Sequence, residues 1–165
     1  MVSLRHRRDG GLDVGRARAR ISAYVYGNIT VLAAVVAATP HTLERWDGVV
    51  AVLATAVATL LAHVIAESVA HQVGPRARHE LRDATPIATS GGLPAAVLAL
   101  GTLGVLAPAT AQLLAALVAV LRLAGVGVVV ERLSGRPPSV AALWGGIGLA
   151  VVGAVVAVLK TVLTH

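Results

Sequence analysis

Apolar residues are concentrated in five long segments, at roughly residues 21–39, 48–72, 87–107, 109–130 and 140–163. They form continuous blocks instead of the one-sided stripe of a helix on a soluble domain. Each segment has about 19–25 residues, enough to cross a hydrocarbon core ~30 Å thick as an α-helix. The pattern predicts an all-α fold: a polytopic membrane bundle of five transmembrane helices in a single domain, residues 21–165.

Composition supports this prediction. The chain is 56% hydrophobic and 13% charged, whereas a soluble domain carries about 25% charged residues. It contains no cysteine, which excludes disulfides, thiolate metal ligands and thiol catalysis. Trp46, Trp144 and Tyr24 lie near the ends of the predicted helices, where an aromatic belt would meet the membrane interfaces.

The basic residues predict an orientation. Six arginines lie in residues 1–20, three in the loop after the second segment and two in the loop after the fourth. The opposite side holds only Arg45 and Lys160. The positive-inside rule then places the N-terminus in the cytoplasm and the C-terminus outside, in a multi-pass protein of a bacterial cytoplasmic membrane. We interpret residues 1–20 as a basic cytoplasmic arm that touches anionic lipid, and not nucleic acid.

Two further patterns concern packing. Alanine recurs at every fourth residue from Ala54 to Ala70, and alanine or glycine does so from Ala142 to Ala154. Small residues at this spacing let membrane helices approach closely, which predicts a tight bundle and a homodimer. The third segment opens with Gly91, Gly92 and Pro94. It is either a broken helix that exposes carbonyls near a substrate or a helix that starts at Leu93 after an interfacial lead-in.

A polar stripe follows the second segment. Thr55, Thr59, His63, Glu67 and His71 are each four residues apart. Each step turns a helix by about 40° and advances it ~6 Å, so the last three share one face. The histidines are ~12 Å apart and cannot ligate one ion together, but Glu67 can share an ion with either.

Asn28 in the first segment and Arg122 in the fourth are expected at a similar depth to Glu67, in the cytoplasmic half. An ionisable residue inside a membrane costs about 2.5–3.5 kcal/mol on insertion scales, which indicates a role. Three interpretations stay open: a structural ion pair between Glu67 and Arg122, a site for a divalent cation or a proton relay, and a surface for a partner protein. Arg122 is expected to point into the bundle. The motifs of metalloproteases and histidine-box oxidases are missing, so no enzyme is predicted.

Three stretches resemble the vacuolar iron transporter family: "YGNIT" from Tyr26 to Thr30, "HVIAESVA" with Glu67, and "RLSGRPPSVAALWGGIG" from Arg132 to Gly148. The resemblance implies five membrane helices and a dimer that moves ferrous or manganous ions, usually against protons. It implies Glu67 and Asn28 as ligands of the transported cation, with no other cofactor. The sequence departs from the family in having Asn28 where an aspartate is expected, no methionine in the second segment and no large domain after it. Imidazole suits iron, so the histidines could compensate.

Overall fold

The computed structural model describes residues 14–70, 85–133, 137 and 139–164. These residues form eight helices and no strand: α1 (Val14–Val36), α2 (Pro40–Leu43), α3 (Asp47–Ala70), α4 (Thr85–Ser90), α5 (Gly92–Thr102), α6 (Pro108–Ala124), α7 (Val126–Leu133) and α8 (Val140–Thr164). The predicted all-α class is therefore confirmed for the described chain. All five apolar segments are helical, and the third and fourth are each divided in two.

The first helix begins earlier than the apolar pattern indicates. α1 starts at Val14, inside the predicted arm, and ends at Val36 instead of residue 39. The added turn alternates arginine with alanine, and both residues favour the helix. Helix-forming propensity extends α1 beyond its apolar part.

The third segment ends sooner than predicted, at Thr102 instead of residue 107. Gly104 has φ of +75°, a left-handed conformation that glycine adopts without steric cost. Its N–H bonds the Gly101 carbonyl, and the N–H of Val105 bonds that of Leu100. This is a Schellman motif, which closes a helix by satisfying its last carbonyls. Pro108 then occupies the first turn of α6, where its missing N–H costs nothing.

The break between α4 and α5 lies at Gly91. Pro94 has no N–H to donate to the Ser90 carbonyl, so the hydrogen-bond ladder is interrupted there. A Cβ added to Gly91 would lie 2.9 Å from the Cβ of Ala56 on α3. Glycine at the joint therefore lets the broken helix pack directly on α3.

A second break, at Gly125, separates α6 from α7, and α8 packs closely against this joint. A Cβ at Gly146 would overlap the Ala124 carbonyl oxygen, and one at Gly127 would overlap that of Ala142. The backbones of the two elements are thus nearly in contact, which only glycine permits.

The helix α1 occupies the centre of the bundle. It packs against α3, α4, α6 and α8, while α5 packs against α3 and α6. Two apolar clusters fill the interior. One joins α1, α3, α5 and α6, and the other joins α1, α6 and α8; their largest members include Val31, Val35, Val52 and Leu98 in the first and Leu32 and Leu123 in the second.

Large apolar side chains also cover the outside of the bundle, including most of those on α3 and α8. Two stretches, Asp47–Ala66 and Pro108–Arg132, are long and apolar enough to cross a membrane, and only 22% of either is buried. Arg20–Val36 and Val140–Val155 are shorter apolar helices. The core helix of a soluble protein would be mostly buried, so these outward apolar faces are typical of helices in contact with lipid.

Candidate functional site between α1, α4 and α6

Arg122, in the last turn of α6, connects three helices. Its Nη1 donates a hydrogen bond to the Thr89 carbonyl of α4, at 3.2 Å. Its Cζ lies 5.3 Å from the centroid of the Tyr24 ring on α1, within the range of a cation–π interaction. The Tyr24 hydroxyl donates to the Arg122 carbonyl at 3.1 Å. The half-buried guanidinium therefore points to neighbouring helices, as expected for a charge in an apolar bundle.

This arrangement relates two unusual features of the sequence. The Gly91 break ends α4 at Ser90, and the last carbonyls of a helix lack intrahelical donors. Arg122 supplies a donor to Thr89 and places a positive charge at the negative end of the α4 dipole. The broken third segment and the arginine of the fourth segment thus complement each other.

Asn28 is completely buried, with 0% of its surface exposed. Its Nδ2 donates to the Tyr24 carbonyl at 2.7 Å, which fixes the amide orientation because a carbonyl can only accept. Its Oδ1 has no hydrogen-bond partner, and neither does the buried Nε of Arg122. Leaving a buried polar group unsatisfied costs about 1–3 kcal/mol. Among the described residues these two are the only buried side-chain atoms in this condition.

Hydroxyl groups continue the polar region from α1 to α3 and α4. Thr59 donates to the Thr30 hydroxyl at 3.3 Å, and Thr30 bonds the Gly27 carbonyl of its own helix at 3.0 Å. Ser90 is fully buried, and a Cβ at Gly27 would lie 3.0 Å from its Oγ. We call Asn28, Thr30, Thr59 and Ser90 the polar seam. Thr30, Thr59 and Ser90 lie where α1 meets α3 and α4, and Asn28 lies on the face of α1 that carries Tyr24.

The predicted site residues are only partly assembled. His63 is half-buried on α3, one turn beyond Thr59. Glu67 belongs to α3, but its side chain lies outside the described part of the chain, as does all of His71. The predicted Glu67–Arg122 ion pair therefore falls outside it too. Within the described residues no group of three histidine, aspartate or glutamate residues could hold a metal.

Tyr24 and Thr89 are the site residues that sequence reasoning missed. Tyr24 is half-buried beside Arg122, while Trp46 and Trp144, the other residues of the predicted aromatic belt, are exposed. A signal was present, since Tyr24 precedes Asn28 by four residues and shares its helical face. Thr89 contributes only its backbone carbonyl. Every residue has one, so the sequence gives no signal for this role.

The opposite end of α6 carries a second long-range cap. Gln112 donates through Nε2 to the carbonyls of Val35, at 2.9 Å, and Ala38, at 3.0 Å. These carbonyls close the C-terminal end of α1, which stops at Val36. A single helix, α6, therefore caps the C-terminal ends of α1 and α4 with side chains near its own two ends.

No protein-family model, curated protein or solved structure matches the chain. The resemblance to iron transporters consequently rests on the three quoted stretches alone. The chemistry of the site is the basis for a functional proposal.

Proposed function

We propose that the chain is an integral membrane protein in which α1, α3, α4–α5, α6–α7 and α8 make five passes. The outward apolar faces and the low burial of the two longest apolar stretches support this. The distribution of arginine and lysine supports a cytoplasmic N-terminus and an external C-terminus in a bacterial inner membrane. The alternation of sides requires an odd number of passes, which five helical segments supply.

We further propose that the protein transports a small cation, coupled to protons, along the polar seam. The observation that carries this proposal is the fully buried Oδ1 of Asn28, which has no donor. A lone acceptor in a low-dielectric interior is costly unless a cation or donor occupies it for part of a working cycle. The residue before Asn28, Gly27, packs against Ile87 and Ser90 of the interrupted helix, and such breaks line ion sites in many transporters.

The polar stripe of α3 supplies the remaining groups. His63 follows Thr59 of the seam by one turn, and Glu67 follows His63. A ferrous or manganous ion would be bound by the imidazole and carboxylate groups of this stripe, with the Asn28 Oδ1 as a neutral oxygen ligand along the seam. Imidazole binds metal only when neutral, so binding should weaken in acid. A homodimer is part of the proposal, as the small-residue pattern favours it.

Metal-induced thermal stabilisation of the purified protein tests the proposal. Manganese, iron, zinc and nickel should raise the melting temperature of the wild type, and the rise should disappear in Glu67→Gln and His63→Ala. Ser68→Ala is the matched control, because that exposed hydroxyl lies off the stripe and bonds its own helix, at the Val64 carbonyl. Cation-driven proton flux in proteoliposomes should be present in the wild type and the control variant, and should be lost in Glu67→Gln and His63→Ala. An unchanged wild-type melting point with all four metals, together with the absence of flux, would contradict the proposal.

The alternative is a membrane packing protein in which the polar groups are structural. The contacts of Arg122 with Thr89 and Tyr24 favour it. In this case Glu67→Gln should simply lower stability, by a few kcal/mol if it strands a buried charge. No metal should then affect the melting point of any variant.

A further inference from the structure

We infer that the Tyr24 ring, the Thr89 carbonyl and the C-terminal end of α4 form a recognition site for guanidinium or primary ammonium groups, occupied in cis by Arg122. The inference goes beyond the proposed transport of metal ions or protons and does not depend on it. It concerns what the site binds when the tethered arginine is absent or displaced.

The groups around Arg122 are those that recognise an organic monocation. The aromatic face attracts a weakly hydrated cation, and the Tyr24 centroid lies 5.3 Å from Cζ. The Thr89 carbonyl accepts one N–H, and the α4 terminus adds a partial negative charge. All these groups are neutral. They suit a delocalised monovalent cation better than a strongly hydrated dication, which needs carboxylates to offset its desolvation.

Arg122 does not use the full capacity of the site. Its Nε is buried without an acceptor, and the Oδ1 of Asn28 is buried without a donor. Asn28 lies on the same face of α1 as Tyr24 and bonds the Tyr24 carbonyl. A guanidinium has five N–H donors in a rigid plane, and the backbone of α6 restricts how Arg122 presents them. An untethered guanidinium is free of that restriction, so it can compete for the same partners.

Chemical rescue tests the inference. The melting temperature of purified Arg122→Ala is measured against millimolar methylguanidinium, with urea as the neutral analogue. Methylguanidinium should raise it along a saturating curve, as expected for a ligand of the folded state. Urea should leave it unchanged. The wild type should respond weakly, because its own side chain fills the site.

Two variants make the test specific. Arg122→Ala combined with Tyr24→Leu should lose the rescue, since the ring is gone. Gln112→Ala removes a cap at the other end of α6 and lowers stability, but methylguanidinium should not restore it. Equal rescue of the Gln112 variant, or rescue by urea, would reveal a general solvent effect and overturn the inference.

If Arg122→Ala does not fold, Arg122→Gln provides a neutral side chain of intermediate length for the same titration. Arg122→Lys keeps a cation in place and should need no rescue. Failure of methylguanidinium to stabilise any neutral variant overturns the inference. The metal and flux experiments use wild-type Arg122, so their failure would leave this result standing, and the reverse also holds.

Discussion

The two ends of α6 perform the same task with different chemistry. Gln112 closes the end of α1 with two hydrogen bonds from a neutral amide, and leaves no buried side-chain atom unsatisfied among the described residues. Arg122 closes the end of α4 with one hydrogen bond and a ring contact. Its own Nε has no partner, and neither does the Oδ1 of Asn28, one helical turn from Tyr24 on α1.

The contrast between the two caps indicates which features of the Arg122 end helix capping does not require. The Gln112 end demonstrates that a neutral amide is sufficient to cap a helix across the bundle. A guanidinium costs about 2.5–3.5 kcal/mol to place inside a membrane, so capping alone does not explain the choice of arginine. The surplus charge and the unsatisfied atoms therefore distinguish the Arg122 end from the Gln112 end.

The largest expected effect is that of Gly146→Val, which acts on the Arg122 end through α8. A Cβ there would overlap the Ala124 carbonyl oxygen, so α8 must move away from the α6–α7 joint. We expect a loss of about 3 kcal/mol or more from overpacking, measured by denaturant titration in detergent. Gly148→Val is the control, since a Cβ at Gly148 meets nothing within 4 Å. Equal losses in both variants would show that the close contact is not decisive.

Arg122→Leu should have the next largest effect. It strands the Thr89 carbonyl and removes the contact with Tyr24, which together are worth about 2–3 kcal/mol. Leu121→Ala serves as the control, because the Leu121 side chain next to it is mostly exposed. If Arg122→Leu is as stable as the wild type, the cation does not cap α4 and the comparison between the two ends fails.

Gln112→Leu should cost less, about 1–2 kcal/mol, because two uncharged hydrogen bonds are lost near the end of α1. Hydrogen exchange should speed up in the last turn of α1 and stay unchanged in α4. Loss of protection at α4 would indicate that the two ends are coupled through α6, instead of acting independently.

Asn28→Leu should have the smallest effect on stability. Unlike the three variants above, it is expected to stabilise the protein. The substitution removes an unsatisfied buried acceptor at similar volume, so we expect a gain of up to about 1 kcal/mol. Cation-driven flux should fall at the same time, since the acceptor is proposed to serve the cation. A clear loss of stability would mean that the Asn28 amide is structural and that the seam carries no ion.

Much of the fold follows from apolar segment length, because lipid-compatible helices need long apolar runs. The break at Gly91 was visible in the glycines and Pro94. The break at Gly125 was not, because it lies within a continuous apolar run. The third segment was predicted five residues too long at its end, because the residues after Thr102 are as apolar as the helix itself. The helix ends because Gly104 adopts a left-handed conformation, and not because the sequence becomes polar there.

The site was predictable in part, for a similar reason. Asn28 and Arg122 stand out as polar residues in apolar segments, and the structure buries Asn28 completely and Arg122 in part. Their partners were not predictable, since Thr89 acts through its backbone and Tyr24 meets Arg122 across 98 positions of sequence. The apolar pattern encodes burial, whereas partners depend on how the helices pack.

The break at Gly91 also constrains the order of assembly. In the proposed five-pass arrangement, α4 and α5 leave the ribosome before α6, so the Thr89 carbonyl would enter the membrane before Arg122 has been synthesised. Lipid offers no donor to it in the meantime. The third pass is therefore expected to remain near the insertion machinery or the interface until the fourth arrives, and the two should enter the bilayer as a pair.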